Sequence, residues 1–312
     1  NGSNSGHVRI YRWSGDDWTQ IGSDLDGLAP GDGFGWALAL SDDGSTIAVS
    51  TRYSDQLGNV RIFRWNGSTW AQLGNSIRAP TLSSSHSSIS LSSNGNAVAI
   101  GEWNIDSMNG LQSGITRVFV FDGAVWTQLG QTLGGEAKGD NFGWSVDLSE
   151  NGNVLVVGAH SANMGTGYVK VFGYVLNEWV PLGDDIAGES TSDLFGQAVS
   201  ISADGQKVAV GGLQNDGSGI DAGHVRVYEW VSIVPTSSPA PSQQPSVLSS
   251  ESPTNMPSGI ASMGSCMNSL GDCFFSGMPC CDFDTTTGEA LVCNVFYCMA
   301  TAATTTTTSV PY

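Results

Sequence analysis

The chain has 312 residues, of which only 13% are charged and 41 are glycine. Its formal net charge of −18 excludes nucleic acid as a partner, because phosphates need a basic surface. The same charge argues against anionic membrane surfaces. No run approaches the roughly 20 apolar residues of a membrane span, so we expect none. Short apolar runs between segments rich in Gly, Ser, Thr and Asn predict an all-β fold.

Residues 1–230 repeat one pattern with a period of about 53 residues. A strand-like segment, VRIYRW in its first copy, begins at Val8, Val60, Thr116, Val169 and Val225, at offsets of 52, 56, 53 and 56 residues. A second segment, first seen as WTQIG, begins at Trp18, Trp70, Trp126 and Trp179. A third, first seen as FGWALALSDDGSTIAVS, begins at Phe34, Phe142 and Phe195. The opening residues NGSNSGHVRIYRW match the end of a later repeat, so we expect the chain to begin partway through a longer or processed protein.

Each unit predicts four strands, and the last two are joined by an Asx-Gly turn of the kind that closes hairpins. These turns are Asp43-Gly44, Asn94-Gly95, Asn151-Gly152 and Asp204-Gly205. Four-stranded sheets repeated radially form a β-propeller. The sequence holds four complete units and a fifth copy of the first strand. That strand can close a ring by pairing across the termini, or the chain can be an arc of a ring of about seven blades. A β-solenoid is the structural alternative, although its repeats are usually shorter.

The pattern F-G-x-x-(V/L)-x-(L/I)-S-x-(D/N)-G-x-x-(V/I)-A-(V/I) resembles FG-GAP-type repeats, which occur in integrin-α-like propellers and in secreted algal and bacterial proteins. The resemblance covers residues 1–230 and implies a propeller of about four blades. The second unit departs from it, with Ser85-His86-Ser87 where Phe-Gly-Trp belongs. The integrin version carries a calcium loop, but the turns SDDGS, SSNGN, SENGN and SADGQ offer too few spaced oxygens for calcium.

Aromatic residues that depart from the framework are the candidates for ligand binding. The Trp residues at the start of each WTQIG-like segment are expected in the core. Trp36 and Trp144 follow the Phe-Gly pair, and Trp103 and His86 lie in the irregular parts of the second unit. Exposed aromatic rings of this kind can stack on sugars, so these four are the predicted ligand-binding residues.

We predict no resident metal or cofactor, with one alternative. Asp216 and Asp221 lie in a Gly-rich loop and are the first candidates for calcium, and a second loop holds Asp184, Asp185 and Glu189. Carboxylates in turns more often accept bonds from nearby backbone N–H groups. The chain has no HExxH motif, which disfavours zinc. No nucleophile elbow, phosphate loop or isolated pair of acids stands out, so no catalytic residue is assigned.

The remaining residues fall into two classes, disordered segments and a cysteine-rich module. Residues 231–262 read as a Ser/Pro-rich disordered linker, and 301–312 as a Thr-rich disordered tail. Residues 263–300 hold all six cysteines, Cys266, Cys273, Cys280, Cys281, Cys293 and Cys298, and predict a small disulfide module in an oxidising compartment. Zinc is the alternative for these cysteines. Their order resembles a knottin, which implies the pairs Cys266–Cys281, Cys273–Cys293 and Cys280–Cys298.

These features together predict a secreted or cell-surface recognition or adhesion protein that is not an enzyme. Its expected partner is an extracellular glycan or glycoprotein bound by the propeller loops. The sequon Asn66-Gly67-Ser68 lies at a predicted hairpin tip and is a candidate for N-glycosylation. A secreted propeller enzyme that acts on polysaccharide and a purely structural wall or matrix component are the alternatives.

Overall fold

The computed structural model of the chain describes residues 2–52, 59–80, 87–230, 274–275 and 278–279. The first strands are short. They are β1 (His7–Val8), β2 (Tyr11–Trp13), β3 (Trp18–Gln20) and β4 (Leu25–Asp26). β1 pairs with β4 and β2 with β3, both antiparallel. We call these four strands the N-terminal unit.

Three complete blades follow, and each is an antiparallel sheet of four strands in sequence order. A short fifth strand in each pairs with the third strand beside the fourth. Blade 1 contains β5 (Leu38–Leu40), β6 (Thr46–Ser50), β7 (Asn59–Trp65), β8 (Trp70–Gln72) and β9 (Ile77–Arg78). Blade 2 contains β10 (Ser87–Leu91), β11 (Ala97–Glu102), β12 (Ile115–Phe121), β13 (Trp126–Gln128) and β14 (Leu133–Gly134). Blade 3 contains β15 (Ser145–Leu148), β16 (Val154–Ala159), β17 (Tyr168–Val175), β18 (Glu178–Pro181) and β19 (Ile186–Ala187).

Blade 4 has three described strands, β20 (Phe195–Ile201), β21 (Lys207–Gly212) and β22 (His224–Glu229). The helical segment of the described residues is one turn, α1 (Ala162–Gly165), between β16 and β17. The all-β prediction and the four-stranded propeller blade are therefore confirmed. The blades are out of phase with the sequence repeat, because each blade takes its two inner strands from the end of one sequence unit and its outer strands from the next. This offset gives three complete blades where the sequence shows four complete units.

The Asx-Gly turns are closed by their own side chains. In blade 2, Ser92 Oγ donates to Asn94 Oδ1 at 2.9 Å, and the backbone N–H of Asn96 donates to the same oxygen at 2.9 Å. Gly95 has a φ of 63°, which a residue with a side chain rarely adopts. The turn oxygens are thus used within the turn.

Successive blades are joined by a tryptophan on the fourth strand. The indole N–H groups of Trp70, Trp126 and Trp179 donate to carbonyls of the preceding unit at 2.9, 2.8 and 2.9 Å. The accepting residues are Ile21, Leu73 and Leu129, and each is followed by a glycine with positive φ on which the ring packs. We call this arrangement the Trp latch. These three tryptophans are 9%, 4% and 2% exposed, so the prediction of core Trp is confirmed for them.

A basic residue on the third strand makes a second contact between blades. Arg61 donates to the Asp26 carbonyl at 2.6 Å, and Arg117 donates to the Arg78 carbonyl at 2.9 Å. Lys170 and Arg226 occupy the same repeat position and pair with Glu136 and Glu189. Several of the few basic residues are therefore used to join blades.

The Phe-Gly pair also joins neighbouring blades, through contacts with their inner strands. Phe142 is fully buried, and Gly143 has a φ of 87°. Ser88 of blade 2 donates to the Gly143 carbonyl at 2.8 Å. A Cβ on Gly101 would lie 2.1 Å from the same carbonyl oxygen, so only glycine allows the blades to approach this closely. The same contact recurs between Gly158 and Gly196.

The chain divides into two compact units, Asn1–Val231 and Ser232–Tyr312. The described part of the second unit is an antiparallel pair, β23 (Phe274–Phe275) and β24 (Met278–Pro279). The predicted linker, the six cysteines with their pairing and the Thr-rich tail lie outside the described residues. Within the described residues no helix has the length and apolar character needed to cross a membrane.

Candidate functional site

An aromatic cluster lies where the second strands end and the Phe-Gly turns begin. Trp103 follows β11, His160 follows β16, and Trp144 follows the Phe142-Gly143 pair. The Trp103 and Trp144 ring centroids are 4.8 Å apart, and those of Trp144 and His160 are 4.1 Å apart. We call these three residues the aromatic rim. The sequence prediction named Trp103 and Trp144 separately, and the fold brings them together from blades 2 and 3.

Hydrogen bonds to backbone atoms of Trp103 and Trp144 position the rim. The Trp144 N–H donates to the Asn141 carbonyl at 3.1 Å, and the Asn141 side-chain amide donates to the Trp103 carbonyl at 3.2 Å. Asn141 has a φ of 55°, a conformation that Asn tolerates better than most residues. Both tryptophans are half-buried.

His160 forms the inner end of the rim, and the sequence analysis did not single it out. It is 8% exposed, and its Nε2 lies 3.1 Å from Ser161 Oγ. Its Nδ1 is buried and has no hydrogen-bond partner among the described residues. Burial lowers the pKa of His160 to about 4, so the imidazole is neutral at pH 7 and packs against Trp144 as an uncharged ring, at an interplanar angle of 47°.

Trp36 occupies the position in blade 1 that Trp144 occupies in blade 3. It is exposed, and the Arg52 guanidinium lies over its ring at 4.4 Å from the centroid. The Arg52 backbone N–H donates to the Asp32 carbonyl at 2.9 Å. Trp36 is therefore a second aromatic surface at an equivalent place in the repeat. His86, the fourth predicted ligand-binding residue, lies outside the described residues.

A polar cavity of about 400 Å³ lies between the first strands of the blades. Asp147 is at its wall and accepts hydrogen bonds from Ser90 Oγ at 2.8 Å and from the Ile201 N–H at 2.9 Å. Its carboxylate thus connects blades 2, 3 and 4. Asp42 and Glu150 also line this cavity, and their backbone N–H groups donate to carbonyls of the next blade. The hydrogen bonds that Asp147 accepts from Ser90 and Ile201 give it a structural role.

The loop that offers the alternative calcium candidates is held by its own carboxylate. Asp216 Oδ1 accepts the Asp221 backbone N–H at 2.8 Å, and Asp221 has a φ of 52°. Within the described ranges no group of three or more His, Cys, Asp or Glu side chains is placed to hold a metal ion. The sequon residue Asn66 is exposed in the turn between β7 and β8, where its Oδ1 accepts the Thr69 N–H at 2.9 Å.

Another repeat residue that the sequence analysis did not single out is the aspartate two positions before the Phe-Gly pair. Asp140 is 4% exposed, and its Oδ2 accepts the backbone N–H groups of Glu136 and Ala137, each at 2.9 Å. Asp32 makes the same two contacts with the N–H groups of Leu28 and Ala29, and Asp193 accepts the Ser190 N–H at 3.0 Å. The recurring pattern D-x-F-G was the available signal. These acids shape the loop that leads to the rim.

Comparison with known protein families supports the repeat. Residues 132–172 match the FG-GAP repeat family, a segment that contains the Phe142-Gly143 pair. No curated protein matches the chain. Among solved structures, the chain is similar to TolB from Acinetobacter baumannii, with 14% identity over 72% of this chain and 49% of that one and a TM-score of 0.42.

Two other structures are similar to the same extent. The Dos1 propeller has 15% identity over 73% of this chain and 48% of that one, with a TM-score of 0.44. A putative 6-phosphogluconolactonase from Bacteroides uniformis has 16% identity over 60% of this chain and 50% of that one, with a TM-score of 0.43. The chain therefore spans about half the length of these proteins.

Proposed function

We propose that this chain is a non-catalytic recognition protein of the cell surface or extracellular space that binds a glycan, free or on a glycoprotein, through its aromatic rim. The observation that carries the proposal is the series of contacting rings Trp103, Trp144 and His160, with centroid spacings of 4.8 and 4.1 Å. Tryptophan side chains have only two rotatable bonds, so these half-buried rings can bind a ligand with little loss of side-chain entropy. Trp36 with Arg52 offers a second aromatic platform with hydrogen-bond donors.

Charge narrows the ligand class. The net charge of −18 repels anionic polysaccharides, so a neutral glycan is the favoured partner. An indole face packs on the C–H face of a neutral sugar by apolar contact, and this contact needs no charge. We propose no resident metal or cofactor, because the repeat's turn oxygens are already bonded within the turns.

The extracellular location rests on the FG-GAP repeat and on Asn66. This asparagine is exposed at a hairpin turn, where a glycan can be attached without disturbing the sheet. The six-cysteine segment also favours an oxidising compartment.

The test is calorimetric titration of the full chain with cellohexaose and with laminarin-derived oligosaccharides, both neutral glucans. Binding should be saturable, and Trp144→Ala should weaken it at least tenfold because this ring lies between the other two members of the rim. The matched control is Trp18→Ala, which removes an exposed tryptophan outside the rim. Equal loss in both variants, or turnover of the oligosaccharide, would contradict the proposal.

A further inference from the structure

One position of the repeat has a left-handed backbone in four units. It lies two residues before the glycine that leads into each VRIYRW-like segment, and it is occupied by Asn4, Gln112, Gly165 and Asp221, with φ of 59°, 53°, 80° and 52°. Glycine adopts this conformation without steric cost, and the short side chains of asparagine and aspartate bond locally to offset it. Gln112 is the exception, because its longer side chain is not suited to that local bond.

Hydrogen bonds on both sides hold Gln112 in this conformation. Its backbone N–H donates to Asp106 Oδ1 at 2.8 Å, and its carbonyl accepts the Asn141 backbone N–H at 3.2 Å. The side-chain amide of Asn141 donates to the same carbonyl at 3.4 Å. Backbone strain that the surroundings maintain in this way is concentrated at binding and active sites. Gln112 is therefore a candidate for a functional residue.

Asn141 also ties Gln112 to the aromatic rim. Its side-chain nitrogen donates to the Trp103 carbonyl at 3.2 Å as well as to the Gln112 carbonyl, so these two oxygens are at most about 7 Å apart. The Asn141 carbonyl accepts the Trp144 N–H at 3.1 Å. Asn141 is thus a positioning residue that fixes Gln112 beside both tryptophans of the rim. The aligned residues have no side-chain amide, namely Gly33 and Leu194.

The side chain of Gln112 has the chemistry that a sugar on the rim requires. It is exposed, and none of the described residues hydrogen-bonds its amide. A sugar that packs its C–H face on an indole still needs hydrogen-bond partners for the hydroxyls around its edge. A glutamine amide has one acceptor and two donors, so it can bind two neighbouring hydroxyls at once.

We propose that Gln112 determines which sugar the aromatic rim binds, by hydrogen-bonding two neighbouring hydroxyls of the sugar unit that packs on Trp103 and Trp144. This inference rests on the proposed function and adds the source of its specificity. Apolar contact with an indole discriminates weakly between sugars, because their C–H faces are alike. A polar group that bonds a hydroxyl rejects a sugar in which that hydroxyl is displaced.

Calorimetric titration of the full chain with cellohexaose and with mannohexaose tests the selection. Both are neutral β-1,4-linked chains, in which the neighbouring free hydroxyls are those at C2 and C3, and the two sugars differ at C2. The wild type should bind one hexaose at least tenfold more tightly than the other. Gln112→Gly should weaken binding of the preferred hexaose about tenfold and bring the ratio of the two affinities close to one.

The variants separate a role in recognition from a role in folding. Glycine is suited to the left-handed conformation, so Gln112→Gly should unfold at a urea midpoint at least as high as that of the wild type. Gln112→Glu keeps the shape of the side chain but removes its two donors, and it should lose the preference too. Asn4→Gly is the matched control, because it makes the same change at the same repeat position in the N-terminal unit. It should leave both affinities unchanged.

The outcomes also separate this inference from the proposed function. Hexaose binding that Trp144→Ala weakens and Gln112→Gly leaves unchanged would overturn the role of Gln112 and keep the rim as the site. Equal affinity of the wild type for the two hexaoses would overturn that role, and so would a lower urea midpoint for Gln112→Gly. A wild type that binds neither hexaose would overturn it as well. The proposed function would then fall only if the laminarin-derived oligosaccharides also failed to bind.

Discussion

The Trp latch makes a quantitative prediction, because the chain contains the same residue in a buried and in an exposed setting. Trp179 is 2% exposed and donates to the Leu129 carbonyl at 2.9 Å, whereas Trp18 is 62% exposed. Trp179→Phe keeps most of the ring but leaves a buried carbonyl unsatisfied, which costs about 1–3 kcal/mol of unfolding free energy. Trp179→Ala also opens a cavity and should cost about 3–5 kcal/mol.

The control is the same pair of substitutions at Trp18, which should change the unfolding free energy by no more than about 0.5 kcal/mol. Urea unfolding followed by far-UV circular dichroism, at a concentration where the chain is monomeric, measures all four variants. The latch would have no energetic role if Trp179→Phe stayed within about 0.5 kcal/mol of the wild type. If Trp18→Ala lowered the unfolding free energy as much as Trp179→Ala does, the exposed fraction of the tryptophan would not determine its contribution to stability.

Three further predictions concern buried charge and modification. Burial raises the pKa of Glu102 above its usual 4.5 despite the ion pair with Arg117, so the folded state holds that proton more tightly than the unfolded chain. The stability of the wild type relative to Glu102→Gln should therefore fall as the pH rises above about 4.5, as urea midpoints across this range will show. For His160, a folded pKa of about 4 against 6.5 unfolded means that stability is complete above pH 6.5 and declines as the pH falls through 4, by about 3 kcal/mol in all. His160→Phe should remove that part of the pH dependence, and His7→Asn, at an exposed position, should not. Expression in a host that N-glycosylates should add a glycan to the proteolytic peptide that contains Asn66, and Asn66→Gln should abolish it; mass spectrometry that finds this peptide without a glycan would contradict the prediction.

Much of the fold was predictable because the repeat leaves strong local signals. The Asx-Gly turns, the Phe-Gly pairs and the recurring tryptophans all specify local geometry, and each is found where the period places it. Which strands of two successive sequence units share a blade was harder to predict. Pairing between strands of neighbouring units is a long-range property that the linear pattern does not encode. The prediction of a core position is wrong for Trp18, which is 62% exposed although it aligns with three buried tryptophans.

The candidate site was predictable only in part. Trp103 and Trp144 could be singled out as departures from the repeat, but the contact between their rings joins two blades and depends on loop geometry. His160 gave no signal, because a single histidine in a small-residue segment looks like an ordinary substitution. The basic residue in each third strand recurs visibly in the sequence, but its partner does not. Arg117, for example, donates to the carbonyl of Arg78 in the preceding blade, which lies 39 residues away in the chain.

The offset between sequence unit and blade also bears on how such a chain can grow. A stretch of about 53 residues copied at any point of the period adds the outer half of one blade and the inner half of the next. The inserted halves pair with existing halves on either side, so the number of blades rises by one and no sheet edge is left open. A gene that encodes this repeat can therefore be lengthened or shortened by recombination without respecting blade boundaries.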